Sequence, residues 1–305
     1  MRKVFLFLML APQVLAADLQ QQLNAMAAAH HGKVALYAKN LKTGATVAID
    51  SDRPVKTASV IKLPIMVEAF AQAKAGKRSL SLSNKITLTK ENQVQGSGVL
   101  GFLTPGLQPT LEDAITLMMI LSDNTAANLV IDQVTIAAVN ARMTGMGLKN
   151  TYLYKKVYKP AEGPMPADQK QFGLGKTTAR EMAEVMESIY RCDLKDEKLC
   201  KRMIEIMRNQ QYRNMIPHYI ETVDTSETPS AIADKIGALD EVRNDVALVF
   251  TKSGDIVISV FTYDNKDQSW IPENEAELLI ARMAKAIIEA WAPKGLKTGE
   301  AVGPK

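Results

Sequence analysis

The sequence predicts a mixed α/β fold of α+β type: an antiparallel sheet drawn from both ends of the chain, with helices inserted between its halves. Three observations predict it. Two strand signals lie near the start, at residues 33–40 (KVALYAKN) and 45–50 (ATVAID). Helical segments fill the middle. Three further strand signals, at 231–235, 245–252 and 255–264, precede a last amphipathic helix at 273–291. A chain of 305 residues with 47% hydrophobic side chains can bury one large unit or two interleaved subdomains.

The elements follow in order. Arg2 and Lys3 precede an apolar stretch from Val4 to Leu10 and a small-residue site at Val14-Leu15-Ala16. This is the layout of a secretory leader, residues 1–16, cut after Ala16 or Ala17. The stretch is too short to cross a bilayer, which takes about 20 residues. No later segment is long and apolar enough either, so the expected location is periplasmic or secreted. Residues 18–29 have helical spacing, and His30-His31 closes that helix as a surface end. Lys42-Thr43-Gly44 turns the first two strands into a hairpin. A helix runs over 59–75 and stops at Gly76.

Thr110-Leu111-Glu112-Asp113 starts a strongly apolar helix that reaches Leu121, and a second helix covers about 125–133. Residues 150–176 hold Pro, Gly and Lys with little periodicity and read as a long loop, a kind that is usually functional. Helix resumes at Thr178, with Glu181 as its capping partner. Ser253-Gly254 joins the last two strands. The tail over 292–305 is rich in Pro and Gly and is expected to be disordered.

Composition excludes several classes. The net charge is +4, and a leader carrying Arg2 and Lys3 away lowers it by two, which gives no argument for nucleic acid. Two cysteines and three histidines offer no metal-ligand spacing, and no cofactor is expected. In an oxidising compartment Cys192 and Cys200 are close enough in RCDLKDEKLC to form a local disulfide.

Three short motifs carry chemistry. Ser59-Val60-Ile61-Lys62 opens a helix, with hydroxyl and amine on one face. A serine hydroxyl is a poor nucleophile until a base takes its proton, and Lys62 serves if burial and a nearby cation lower its pKa. Ser122-Asp123-Asn124 follows an apolar helix, so it emerges from the core into a cleft. There Ser122 can relay a proton to a leaving nitrogen and Asn124 can grip a carbonyl. Lys235-Ile236-Gly237 ends a strand; its cation can hold Ser122 and lower the pKa of Lys62. The amide after Gly237, that of Ala238, can join the Ser59 amide as an oxyanion hole.

S-x-x-K, S-D-N and K-T-G together mark class A β-lactamases and penicillin-binding proteins. In their order and in their flanks (TASVIKLPIMVEAF, LMMILSDNTAANLVID and ADKIGALDEVRNDVALV) these segments resemble that superfamily over about residues 18–291. The resemblance implies an α/β subdomain beside an all-helical one, spanning about 65–215, with the serine between them. It implies a single β-lactamase/transpeptidase-like catalytic domain over 17–291.

Two departures stand out. The third motif reads KIG; the true K-T-G strings at Lys42 and Lys297 lie in a hairpin turn and in the tail. Ile236 lacks the hydroxyl that helps bind a substrate carboxylate in the family, and Arg243 is either a substitute for it or a surface or structural arginine. The family's loop glutamate, which activates the deacylating water, is replaced by Val157 when Thr151 and Leu153 are aligned on its T-x-L. Glu162 and Asp168 follow downstream as solvated loop acids. The chain looks most like relatives, often called simply serine hydrolases, that share this lack.

The resemblance thus implies a monomeric, secreted serine hydrolase that opens β-lactam amides through a Ser59 acyl-enzyme, with slow deacylation. The rival readings are a D-alanyl-D-alanine peptidase or esterase-like hydrolase, and a non-catalytic β-lactam- or peptidoglycan-binding module.

Overall fold

The computed structural model describes residues 11–221 and 228–298. The apolar stretch of the leader, Val4 to Leu10, lies outside the described residues, as do residues 299–305 of the tail. A first helix, α1 (Ala11–Ala28), leads into the hairpin β1 (Lys33–Asn40) and β2 (Thr46–Ile49). The short β3 (Val55–Lys56) precedes a 3-10 turn at Ala58–Ile61 and α2 (Lys62–Ala75). The helical middle comprises α3 (Leu111–Ile120), α4 (Asn124–Val134) and α5 (Ile136–Gly145). Then come β4 (Tyr152–Leu153), α6 (Gln169–Phe172), β5 (Gly175–Thr177), α7 (Ala179–Tyr190) and α8 (Glu197–Arg208). The chain returns through β6 (Ile232–Leu239), β7 (Val242–Val249) and β8 (Ile256–Tyr263) to α9 (Glu275–Trp291).

The five-stranded sheet has the order β2-β1-β8-β7-β6, every neighbouring pair antiparallel. It is therefore closed by strands from the two ends of the chain. β1 pairs with β8 along its whole length, Lys33 opposite Tyr263 and Asn40 opposite Ile256. Helices cover both faces, so β8 (IVISVFTY) is apolar almost throughout instead of alternating. Ile256, Ile258 and Val260 pack toward Leu19 and Leu23 of α1 and Leu279 and Met283 of α9. Val257 and Phe261 point the other way, into the core shared with α2, α4 and α7.

Local signals explain most helix ends. Thr110 and Asp113 form a reciprocal capping box at the start of α3. The Thr178 hydroxyl accepts from the Glu181 amide at the start of α7. The Glu181 carboxylate turns away, to the Asn150 amide and the Thr151 hydroxyl, and so fixes the start of the long loop. α2 ends at Gly76 in the left-handed conformation.

Four expectations need correction. The loop over 150–176 is not structureless: β5 pairs with both β3 and β4 in a second, three-stranded sheet, and α6 adds one turn. Two helices, α5 and α8, lie where none was expected. His30 is not a surface end; it is 9% exposed and joins Glu275 and Asn265, tying the end of α1 to the start of α9. The tail is ordered as far as the described residues run: Ala292 is buried, Leu296 bridges to Thr251, and the Lys297 ammonium meets Asp255.

Cys192 and Cys200 are disulfide-bonded, with their Cα atoms 5.5 Å apart, and fasten the end of α7 to α8. Among the described residues no helix is long and apolar enough to cross a membrane.

Candidate active site

A cleft of about 900 Å³ lies between the helical part and the edge strand β6, and Ser59, Ser122, Asn124, Gly237 and Ala238 border it. Ser59 occupies the 3-10 turn ahead of α2. That turn is held from two sides. The Thr57 amide and hydroxyl both donate to the Gly175 carbonyl of β5 (3.0 and 3.1 Å). The Asn244 side chain of β7 donates to the carbonyls of Lys56 and Thr57 (3.0 and 3.2 Å). β6 presses against the same turn: a Cβ on Gly237 would stand 2.9 Å from the Ser59 nitrogen, so no larger residue fits there without displacing the turn.

The backbone of Ser122 is left-handed, at φ 52°. A non-glycine residue held this way is strained and persists because its surroundings over-determine it. Those surroundings are visible. Asp123 is fully buried, and its carboxylate accepts from the amides of Val99, Leu100 and Ala126, which caps α4 and pins the loop over 94–101. Gly98 lies so close to Asp123 that a Cβ would overlap it, and its φ of 101° already favours glycine. The Ser97 hydroxyl donates to the Ser122 carbonyl (2.9 Å). Asp123 is thus a scaffold, and it sets the direction of the two side chains beside it.

Lys62 sits at the centre and has no solvent exposure. Its Nζ lies 3.2 Å from Ser59 Oγ and 3.2 Å from Ser122 Oγ, and donates to the Ser122 carbonyl (2.6 Å) and to Asn124 Oδ1 (2.8 Å). Burial and, next, the cation of Lys235 push the Lys62 pKa well below the ordinary lysine value. Two of the four partners are carbonyl oxygens, which can only accept. A neutral amine has two N–H groups, and these carbonyls take both. Its lone pair is then left for the hydroxyls, and Ser59 Oγ is in reach of it.

Lys235 is also fully buried, and its Nζ donates to Ser122 Oγ (3.1 Å) and to the Ile236 carbonyl (2.7 Å). Burial brings its pKa down to about 7, against the pull of the carboxylates of Asp234 and Asp245. Those two acids are themselves buried, and burial raises both, Asp245 to about 7. Asn124 spends its amide nitrogen on the Gln95 carbonyl at 3.2 Å.

The long loop forms another wall. Asn128, one turn after Asn124 on α4, grips the Val157 backbone in both directions: its Oδ1 accepts from the Val157 amide (2.8 Å) and its Nδ2 donates to the Val157 carbonyl (2.9 Å). Val157 borders the cleft with an apolar side chain, 8% exposed. Glu162 is exposed and does not border the cleft. Asp168 accepts from Tyr154 Oη (2.7 Å) and from Lys176 Nζ (2.5 Å). Among the described residues bordering the cleft, the one carboxylate is that of Glu277.

Arg243 departs from the place proposed for it. It is fully buried, with Nε on Glu277 (2.9 Å), other donors on the carbonyls of Leu239, Val242 and Ser269, and its guanidinium stacked 4.4 Å from the Trp270 ring centre. Its ion pair with α9 decides this position, and it does not border the cleft. Sequence reasoning also missed Asn244, Asn128 and Ser97. An Asn one helical turn after the second motif was the one readable sign, since that spacing shares a helix face.

The sequence model of a family described as the beta-lactamase enzyme family matches residues 18–291. Among solved structures, a beta-lactamase from Sphaerobacter thermophilus is 28% identical, with a TM-score of 0.75 over 90% of this chain and 96% of that one. The structure of PBP-A is 25% identical, with a TM-score of 0.74 over 90% of this chain and 95% of that one. An ancestral class A beta-lactamase, 21% identical over 89% of this chain and 99% of its own, shares the fold with a TM-score of 0.75.

Proposed function

Because the chain belongs to the beta-lactamase enzyme family, we propose that it opens β-lactam amides through an acyl-enzyme on Ser59 and releases the product slowly. The observation that carries this reading is the buried Lys62 amine, within 3.2 Å of both serine hydroxyls and with two carbonyls to occupy its N–H groups. Neutral Lys62 takes the Ser59 proton as Oγ attacks the carbonyl carbon. The amides of Ser59 and Ala238 serve the developing oxyanion. The C–N bond then breaks, and Ser122, held by Lys235, passes a proton to the leaving nitrogen. Asn124 orients Lys62 through its Oδ1, and the N–H of its amide that does not serve Gln95 is left for the substrate carbonyl.

Deacylation needs a base beside a water, and Val157 provides none. Asp168 is engaged by Tyr154 and Lys176, and Glu277 by Arg243. General-base help is worth about 10²–10⁴-fold, so the acyl-enzyme persists and turnover follows an initial burst. The same absence favours a second reading, a peptidase or esterase-like hydrolase for which β-lactams are slow inhibitors; release of D-alanine from a cell-wall peptide distinguishes it. The leader pattern and the Cys192–Cys200 disulfide support an exported, periplasmic or secreted enzyme, and we take it to act as a monomer.

Intact mass spectrometry during incubation with benzylpenicillin tests the proposal. One penicillin mass is expected to add and to persist, on the peptide that contains Ser59, and Ser59→Ala is expected to remain unmodified. An adduct on another residue, or rapid turnover without any adduct, refutes it.

A further inference from the structure

We infer that the group leaving past Ser122 in the preferred substrate of this enzyme is uncharged and apolar, so that neutral thioesters, esters or amides are better substrates than those with a carboxylate on the leaving side. The inference rests on the reading of Ser59 as the acylated nucleophile. It goes further in assigning a substrate class from what stands beyond Ser122.

The leaving atom takes its proton at Ser122, so the group that departs starts there. Lys235 Nζ is 3.1 Å from Ser122 Oγ, and Ile236 is the next residue of β6. Beyond it the cleft is bordered by the apolar side chains of Ile236, Met215, Leu239, Trp270 and Ile271, with Asn214 and the carboxylate of Glu277 in the same lining. Trp270 is 64% exposed and Ile271 53%, though both border a concave site. A folded chain gains by covering such side chains, and a bound apolar group would cover them.

Of the lysines that border the cleft, Lys155 and Lys170 stand on the wall made by the long loop; the cations on the side of β6 are committed elsewhere. Arg243 is locked to Glu277 and three backbone carbonyls. Lys56 pairs with Glu241. Lys235 is buried and spends its bonds on Ser122 and the Ile236 carbonyl. Arg243 contributes in another way: it stacks beneath Trp270, and the indole nitrogen donates to Asp240 (3.1 Å). The guanidinium, instead of meeting an anion, stacks on an aromatic wall of the cleft. A carboxylate brought against these side chains would lose hydration and meet no uncommitted cation.

The chemistry is ordinary acyl transfer. Ser59 Oγ gives its proton to Lys62 and attacks the thioester carbonyl, the C–S bond breaks, the thiolate takes the Ser122 proton while Lys62 returns one to Ser122, and water later frees the acid and restores Ser59.

The test uses two thioesters with the same phenylacetyl-glycyl acyl group, one leaving as thioglycolate and one as benzyl thiol, with thiol release followed by a chromogenic thiol reagent. The neutral substrate is expected to have the higher kcat/KM by about tenfold or more, the scale of an unpaired desolvated anion. In Trp270→Ala that ratio is expected to shrink toward one, and in Ile236→Thr to shift toward the thioglycolate ester. Equal or better kcat/KM for the thioglycolate ester overturns the inference, as does a ratio that neither substitution moves. Ser59→Ala separates the two readings. If it still releases thiol from both esters, the acyl-enzyme proposal fails; if it is inactive while the anionic ester is preferred, only the substrate class is wrong.

Discussion

Replacing Lys235 by Gln should move the pH dependence of acylation in a calculable direction. The amines of Lys62 and Lys235 both lie within 3.2 Å of Ser122 Oγ, so they are about 6 Å apart at most. At an effective dielectric constant of about 20, two unit charges at about 6 Å repel by roughly 3 kcal/mol. The Lys235 cation disfavours the protonated form of Lys62, so its removal raises the Lys62 pKa. Acylation uses neutral Lys62, and its rate rises with pH as that proton leaves. The rising limb should therefore shift to higher pH in Lys235→Gln and stay near its original position in Lys235→Arg, which keeps the charge. Single-turnover stopped-flow with a chromogenic cephalosporin from pH 4 to 10 reads the limb apart from the plateau, which also falls in the Gln variant as Ser122 loses a donor. A limb that does not move in Lys235→Gln, or that moves to lower pH, refutes the assignment of Lys62 as the base held low by Lys235.

Two further outcomes follow from the buried groups and the bridge. The raised pKa of Asp245, about 7, means the folded state keeps a proton that the unfolded state has released from about pH 4 upward, so this contribution to stability is lost as pH rises to about 7. Lys235 acts above that range: with its pKa lowered to about 7, stability increases from there toward the ordinary lysine value. In thermal denaturation Asp245→Asn should lose stability less steeply than the unaltered protein between about pH 4 and 7, the opposing contribution of Lys62 being common to both; equal slopes would show that Asp245 titrates normally. The Cys192→Ser, Cys200→Ser double variant should lose roughly 2–3 kcal/mol in urea unfolding, the loop-closure value for so short a bridge. Its acylation rate should be unchanged, because neither residue borders the cleft; a slowed rate would mean the bridge positions the site.

The parts of the site that were legible in the sequence are those whose geometry is local. Ser59 and Lys62 share a face because they are one helical turn apart, and Asp123 caps α4 as a residue of its type does. Strands β1, β7 and β8 announced themselves by apolar content and by the turns between them. What stayed hidden depends on distant partners. Arg243 looked free to meet a substrate, but its ion pair comes from Glu277, on a helix that no local pattern ties to it. The order of the tail rests on Thr251, Phe250 and Asp255, far back in the chain. β4 and β5 are two and three residues long, too short for any period to show. α8 is a different case. Cys200, Met203, Ile204 and Met207 have helical spacing, so this helix is legible in the sequence itself.

The way the sheet is closed bears on when the molecule becomes an enzyme. During synthesis Ser59, Lys62 and Ser122 emerge in the first half of the chain, together with the helices that carry them. The hairpin of β1 and β2 must wait for β8, and Lys235 arrives on β6 at the other end of the sheet. Until those strands dock, Lys62 has neither its burial nor its neighbouring cation, and a lysine in water holds its proton. A half-made or unthreaded chain thus has its nucleophile but no base, and activity appears only when the two ends of the polypeptide meet.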